Sequence, residues 1–350
     1  MKIAFYAPMN APDDGRCSGD RMIAQQIMEG LKELGHEVVL ASHLKTWASE
    51  PEALAGFQEQ AATEIAALSE QKFDAWFTYH LYYKAPDLIG PAVSAAMGIP
   101  YFVAEASHSP SRLKGPWSSH AKLAKEAIRQ AVHLFSTCPR DLPALKAAGI
   151  EAITILRPWV DREDWETKHA AHDGGLRLAT TAMMREGDKL ESYRILSLAL
   201  EELEFPWSLT IAGDGPAQKK VEILTSEFGP RINFVGKLDH KFLKMTYAGA
   251  DAFVWPGINE GLGMVYLEAM AAGVPVVAVD GPGVRGVLNE DVAVLTSDAP
   301  EDFAAGITSL LDTKQRKKFS RAARDHVEDE HSKDQFICTL KDGLQAGGVS

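Results

Sequence analysis

Trp255-Pro256-Gly257-Ile258-Asn259-Glu260-Gly261-Leu262-Gly263-Met264, continuing through Glu268-Ala269-Met270-Ala271-Ala272-Gly273-Val274-Pro275, is the stretch on which the fold turns. A β-rich run enters a glycine-rich turn, and a helix is expected to start near Gly263. From Gly261 to Val279 the only charged side chain is Glu268, so the segment has the look of a membrane span. Its glycines and Pro275 divide it instead into a helix-length piece and a strand-length piece. Buried helix followed by buried strand is the repeating unit of a parallel sheet. An ionised carboxylate is costly to bury without partners, so Glu268 should meet a hydrogen-bond donor at a cleft. Glu260, eight positions earlier, can face the same cleft. The N–H groups at the helix start, left unhindered by Gly261 and Gly263, suit an anion such as a diphosphate. A helix cap beside one satisfied buried glutamate is the plainer alternative.

The same alternation runs through the whole chain. Strands are expected near Lys2-Ala7, Glu37-Ala41, Phe73-Tyr79, Pro100-Ala104, Val132-Thr137 and Ala152-Leu156, and again near Leu176-Thr181, Ser208-Ala212, Ile232-Val235, Ala252-Trp255, Pro275-Val279 and Val292-Leu295. Amphipathic stretches separate them, such as Asp20 to Leu34 closed by Gly35. The class is α/β, with two similarly built halves. Polar residues 161–175, ending in Asp173-Gly174-Gly175, have the composition of a linker. The expected domains are residues 1–165 and 174–330, followed by a C-terminal helix within 331–350 that packs back on the first domain.

A chain of 350 residues has room for two cores, and 46% hydrophobic with 24% charged residues excludes global disorder. With 36 Lys plus Arg against 48 Asp plus Glu, a net charge of −12 argues against nucleic acid as a partner. Cys17, Cys138 and Cys338 are too far apart in sequence for a zinc or redox motif, which indicates a reducing, cytoplasmic setting. The apolar start stops at Asp13-Asp14, so no export signal is expected.

Taken together, the residues resemble those of glycosyltransferase family 4, retaining enzymes of the GT-B fold. The paired glutamates Glu260 and Glu268 match the family's motif, and Arg185 and Lys189 are similar to the Arg and Lys that hold its donor diphosphate. Ile211-Ala212-Gly213-Asp214-Gly215-Pro216 resembles the strand-end turn of its nucleotide domain. Phe234-Val235-Gly236-Lys237-Leu238 resembles the stretch that meets the nucleobase. Ser18-Gly19-Asp20 stands where the family has a Gly-Gly turn, and Gly35-His36-Glu37-Val38 matches its second-strand entry.

The resemblance implies two Rossmann-like domains facing an interdomain cleft, and retaining transfer of a hexosyl group from a nucleotide-diphosphate sugar. By family frequency the donor is a UDP-sugar such as UDP-glucose or UDP-glucuronate, and the acceptor a membrane lipid such as diacylglycerol, a lipid-linked intermediate or a polysaccharide. Arg185, Lys189 and Glu260 would serve catalysis. Gly19, Gly213, Gly236, Lys237, Leu238, Gly261, Leu262, Gly263, Met264 and Glu268 would bind the donor, Glu268 through the ribose hydroxyls. No cofactor or metal is implied, and no Asp-x-Asp pair occurs in the chain. A nucleotide-sugar epimerase of the same architecture and a non-catalytic nucleotide-sugar sensor are the rival functions.

In the first half His80 directly follows one expected strand, and Glu105 and His108 follow the next, at the strand ends where ligands gather in open α/β sheets. Either Glu105 or His108 can fill the family's histidine position near the donor sugar, and a hydrogen-bonded structural role is the alternative for each. His80, Tyr82 and Tyr83 mark a possible acceptor region. Gly281-Pro282-Gly283-Val284-Arg285-Gly286 fits a dinucleotide fingerprint, yet too few residues follow for a βαβ crossover. Arg285 departs from the Glu usual in the family's nucleotide-covering loop. Finally, Lys122, Lys125 and Arg129 lie within about 60° of one another on a helix between Ser118 and Ala131. Ala124, Ala127, Ile128 and Ala131 are placed opposite, and Arg112, Lys114 and Trp117 precede the helix. This basic face can meet an anionic membrane, a peripheral placement at the inner face of the cytoplasmic membrane, or be an ordinary solvated helix face.

Overall fold

The computed structural model describes residues 1–15, 19–165 and 174–349, and each expected β-rich run carries a strand. The first six are β1 (Lys2–Tyr6), β2 (Glu37–Ser42), β3 (Ala75–Leu81), β4 (Tyr101–Ala106), β5 (His133–Ser136) and β6 (Ile153–Ile155). The second six are β7 (Leu176–Thr181), β8 (Trp207–Ala212), β9 (Ile232–Gly236), β10 (Ala252–Val254), β11 (Val276–Val279) and β12 (Ala293–Thr296). They form two six-stranded sheets, ordered β2-β1-β3-β4-β5-β6 and β12-β11-β10-β7-β8-β9. Every paired strand within them is parallel. Parallel strands need crossovers and are buried on both faces, which is why Phe5, Phe77, Phe102 and Phe135 are wholly buried and in mutual ring contact.

The chain divides into one unit of Met1–Pro158 with Asp334–Ser350 and a second of Trp159–Lys333. The division falls after Pro158 rather than after residue 165. Trp165 packs edge-on against His240 and Tyr247, and Val160 N donates to the His331 carbonyl at 3.1 Å, so this segment is tied to the second unit. Residues 166–173, most of the expected linker, lie outside the described residues, as do Cys17 and Ser18. The C-terminal helix Lys333–Ala346 belongs with the first unit. Gly343 in the helix and Gly347 just after it allow a close approach to the sheet: a Cβ on Gly343 would lie 2.2 Å from Phe135, and one on Gly347 2.3 Å from Phe102.

Two strands run beyond their apolar stretches. β3 and β4 stay paired through Leu81 opposite Ala106, so His80 and Glu105 are strand residues rather than the first residues after a strand. Both have positive φ, +62° and +56°, in a region that side chains with a Cβ enter at a cost of about 1–3 kcal/mol. The stretch Gly261 to Val279 is a helix, Met264–Ala271, followed by β11. No helix among the described residues is long and apolar enough to cross a membrane.

Candidate active site

In the second sheet the strand order reverses between β7 and β10, and in open α/β sheets ligands bind beyond the carboxyl ends of the strands at such a point. The loop after β7 leads through Arg185 to Lys189, near the start of helix Asp188–Glu201. The loop after β10 carries Trp255 to Gly263. Lys189 Nζ lies 2.5 Å from Glu260 Oε2 and 5.4 Å from the centre of the Trp255 ring, and Trp255 Nε1 donates to the same carboxylate oxygen at 3.3 Å. The two loops are stitched further by Asn259 Nδ2 donating to Asp188 at 3.1 Å and Ile258 N donating to Ser192 Oγ at 3.0 Å.

Glycine is required in this turn for space as well as for φ. Gly257 has φ +65°, and a Cβ there would lie 2.0 Å from the Tyr266 hydroxyl; Gly263, with φ +62°, would place one 2.6 Å from the same ring. The loop after β11 leans on the turn so closely that a Cβ on Gly283 would overlap the Glu260 carbonyl. Between these loops lies a cavity of about 630 Å³, lined by residues 257–260, 279–285 and 295–298 together with Glu290. Glu260 therefore touches both Lys189 and the cavity. Within the dinucleotide-like sequence only the short turn Val284–Gly286 is helical. Arg285 is clamped by Asp280 and Glu290, at 2.6 Å from each.

Glu268 is buried in helix Met264–Ala271, and its donor is Tyr247, whose hydroxyl reaches Oε2 at 3.2 Å. No recorded contact joins Glu268 to Glu260. Burial drives the Glu268 carboxyl up from 4.5 to about 7 against the opposing Tyr247 bond. The folded state then holds a proton that the unfolded chain has released, so stability is fully present below about pH 4.5 and is lost as pH rises through 7. The full span is worth about 3 kcal/mol. Between pH 5 and 8 the wild type should accordingly lose more stability than Glu268→Gln. Urea unfolding of both proteins at the two pH values checks this, and parallel pH dependences would refute it.

The other expected donor residues sit at neighbouring strand ends. Gly213 and Gly215 press on the loop after β7, where added Cβ atoms would meet the Ala182 and Met184 carbonyls at 2.1 and 2.2 Å. Gly213 N donates to the Gly236 carbonyl at 2.8 Å. Lys237 and Leu238 follow Gly236, and Leu262 lies half-buried in the turn. Arg185 is exposed and makes no recorded contact with the Lys189–Glu260 pair.

In the first sheet the order reverses between β1 and β3. Here the structure supplies a pairing that the sequence reading missed: His80 Nδ1, at the end of β3, contacts Asp20 in the first turn of helix Gly19–Glu33. Asn10 Nδ2 donates to the same carboxylate at 3.3 Å. Asp20 and nearby acids raise the His80 pKa even though its burial opposes this. Glu105 accepts from the Thr137 hydroxyl and, at 3.3 Å, from Thr137 N, and burial raises its pKa. His108 is not joined to either by a recorded contact; its pKa is lowered, chiefly by burial and also by Lys125. Asp20 directly follows Gly19 in the turn already singled out, and that adjacency was the available signal. Tyr82 and Tyr83 contact each other, and Tyr82 contacts the His80 ring.

Residues 189–326 match the family described as glycosyl transferases group 1. Over 201 residues the chain is 31% identical to the sulfoquinovosyl transferase SQD2 of Arabidopsis thaliana, covering 53% of this chain and 39% of that protein. Over 203 residues it is 32% identical to a glycogen synthase of Mycobacterium tuberculosis, covering 53% and 47%. Over 168 residues it is 24% identical to the alpha-monoglucosyldiacylglycerol synthase of Streptococcus pneumoniae, covering 47% and 38%. The chain thus spans less than half the length of these curated relatives. Among solved structures, a sucrose-phosphate synthase from Thermosynechococcus elongatus superposes with a TM-score of 0.76 at 17% identity, covering 98% of each chain. Anabaena HepE in complex with UDP superposes with a TM-score of 0.75 at 16% identity, covering 99% and 100%. At such identities the likeness establishes the fold: two Rossmann-like domains of GT-B type.

Proposed function

Because residues 189–326 match the glycosyl transferases group 1 family, we propose that the chain is a retaining, metal-independent glycosyltransferase. It moves a hexosyl group from a nucleotide-diphosphate sugar, most simply a UDP-sugar, to a lipid, lipid-linked or polysaccharide acceptor. The observation that carries this reading is the Lys189–Glu260–Trp255 cluster at the strand-order reversal, where Glu260 also lines a cavity formed with the loops after β11 and β12. In the free protein Glu260 neutralises Lys189 and holds it in place. An arriving diphosphate, carrying more charge than one carboxylate, competes for Lys189 and leaves Glu260 free to accept from sugar hydroxyls. Arg185 is exposed and available to the same phosphates. Ribose hydroxyls can donate to Glu268, whose proton must then leave, so nucleotide affinity should fall as pH drops below about 7.

The test is a nucleotide-sugar panel by thermal shift, followed by transfer assays in membrane extract with EDTA present. Stabilisation by a UDP-sugar and transfer at an undiminished rate are expected. Loss of activity on chelation that Mg²⁺ or Mn²⁺ restores would overturn the role given to Arg185 and Lys189. Release of nucleoside diphosphate separates the enzyme from a sensor, and the need for added acceptor separates it from an epimerase.

We also propose that helix Ser118–Gln130 attaches the first unit to an anionic membrane. Ala124, Ala127 and Ile128 are buried, Lys122 and Arg129 are exposed, and Lys125 is half-buried. Ala131, just past the helix end and already extended with ψ 131°, still packs against the same core. At about 1 kcal/mol per basic residue, three suffice for reversible, salt-sensitive attachment. Wild type should sediment with anionic liposomes at low salt, and the triple substitution of Lys122, Lys125 and Arg129 by Ser should not; equal sedimentation of both would dispose of this helix as the anchor.

A further inference from the structure

A continuous line of rings runs from His80 across the first unit, ending against the buried His120. Ring centres are 5.4 Å apart from His80 to Tyr82, 5.6 Å from Tyr82 to Tyr83, 5.4 Å from Tyr83 to Trp117 and 5.0 Å from Trp117 to His120. Trp47 joins from the side, its Nε1 donating to the Tyr82 hydroxyl at 3.0 Å. Three of these rings carry a cation: Lys45 lies 5.7 Å from the Trp47 ring, Arg112 5.2 Å from Tyr83 and Lys84 5.5 Å from Trp117. None of the three cations has an ion pair among the described residues, and Lys45 instead donates to Asn10 at 3.1 Å. On a chain with net charge −12, carboxylates are abundant, so three neighbouring unpaired cations held on aromatic rings leave a localised positive strip.

We propose that this strip binds a negatively charged saccharide chain, the acceptor of the transfer reaction. The proposal rests on the glycosyltransferase reading above and narrows its acceptor class. Aromatic faces and edges suit the C–H surfaces of sugar rings, while cations resting on rings remain free to turn toward anionic substituents. Up to Trp117 the line makes three successive ring contacts, the wholly buried His120 ring backing its far end, and this length suits several linked sugars better than one. It starts at the His80–Asp20 pair, where the strand order of the first sheet reverses, so a chain lying along it has one end at the expected ligand position. A lipid surface fits less well. Rings that enter a headgroup layer must stand clear of the protein, whereas Tyr82, Tyr83 and Trp117 are half-buried and lean against one another, and only Trp47 is more exposed, at 39%.

The experiment measures binding by tryptophan fluorescence and calorimetry, without turnover. The probes are tetragalacturonate, uncharged maltotetraose, and phosphatidylglycerol–phosphatidylcholine vesicles. Wild type should bind tetragalacturonate in a salt-sensitive manner and prefer it to maltotetraose. The double variant Lys84→Gln/Arg112→Gln should bind it about tenfold more weakly. Tyr83→Leu should also weaken it while keeping the wild-type thermal midpoint. UDP binding should be unchanged in all variants, because none of the substituted residues is among those assigned to the donor. Absent tetragalacturonate binding, equal affinity in wild type and variants, or no preference over maltotetraose would overturn the proposal. So would variants that lose vesicle binding and keep the saccharide. If no nucleotide sugar binds or turns over while tetragalacturonate does, the glycosyltransferase reading fails and the strip stands as a saccharide site.

Discussion

Replacing Lys189 by Met should lower kcat for glycosyl transfer by about 10²–10³-fold, roughly 3–4 kcal/mol of lost transition-state stabilisation, with little change in the thermal midpoint. The charge on the diphosphate grows as the bond to the anomeric carbon breaks, so a fixed cation beside it does more for the transition state than for the ground state. Lys189 is held from two sides, by Glu260 at 2.5 Å and by the Trp255 ring, as the proposed role requires. The pair is partly solvated, with side-chain exposures of 25% and 16%. Its contribution to stability is consequently small, and the variant should fold. In Lys189→Met the Glu260 carboxylate keeps its bond from Trp255 and turns its uncompensated charge toward the incoming phosphates. Glu260→Gln separates the two effects, since it removes the repulsion and leaves Lys189 in place. Steady-state kinetics of both variants decide the matter. A Lys189→Met enzyme whose KM rises while kcat is unchanged would show that the lysine serves binding alone.

What could be read from the chain and what could not follows from which forces act locally. The twelve strands were legible because a parallel strand buried on both faces must be an apolar run, and the turns between them are rich in Gly, Pro and Asp. Glu268 was legible as a buried carboxylate because it is the sole charge in nineteen residues; its partner Tyr247 was not, since a tyrosine twenty-one positions earlier carries no mark of facing it. The carboxylate–lysine cluster was approached through motif resemblance, while the Trp255 contribution emerged only with the fold. Strand order is invisible in a pattern of strands. The β2-β1-β3 order alone makes neighbours of Asp20 and His80, sixty residues apart. Left-handed backbone at His80 and Glu105 was likewise hidden, because neither residue is a glycine and both fall where the β3–β4 register skips a pair before Leu81 and Ala106.

The largest stability effect should come from a residue that the sequence reading did not single out. Asp87 follows β3 and is 3% exposed. Its Oδ1 accepts from Ile89 N at 2.9 Å and Gly90 N at 2.7 Å, and its Oδ2 accepts from the Thr78 hydroxyl at 2.6 Å and the Tyr101 hydroxyl at 2.9 Å. Trp76 Nε1 extends the network by donating to Thr78 Oγ1 at 2.9 Å. Burial raises the Asp87 pKa, and these four donors act against it. The carboxylate thereby locks the turn after β3 onto β4, the two strands whose ends present His80 and Glu105. The site is closed off from bulk solvent: Asp87 itself is buried, and Gly90 packs so tightly on it that a Cβ there would lie 2.4 Å from Asp87 Oδ2 and 2.5 Å from Trp76 Nε1. Asp87→Ala should therefore cost about 3–5 kcal/mol, as expected when several buried donors lose their shared acceptor at once. Asp87→Asn keeps an acceptor for the two backbone N–H groups, and its amide can donate to hydroxyls that rotate to accept. It should lose only about 1–2 kcal/mol. Urea unfolding followed by near-ultraviolet circular dichroism ranks the two variants. An Asp87→Ala protein no less stable than Asp87→Asn would mean that the four donors find other acceptors and that the turn is held by packing alone.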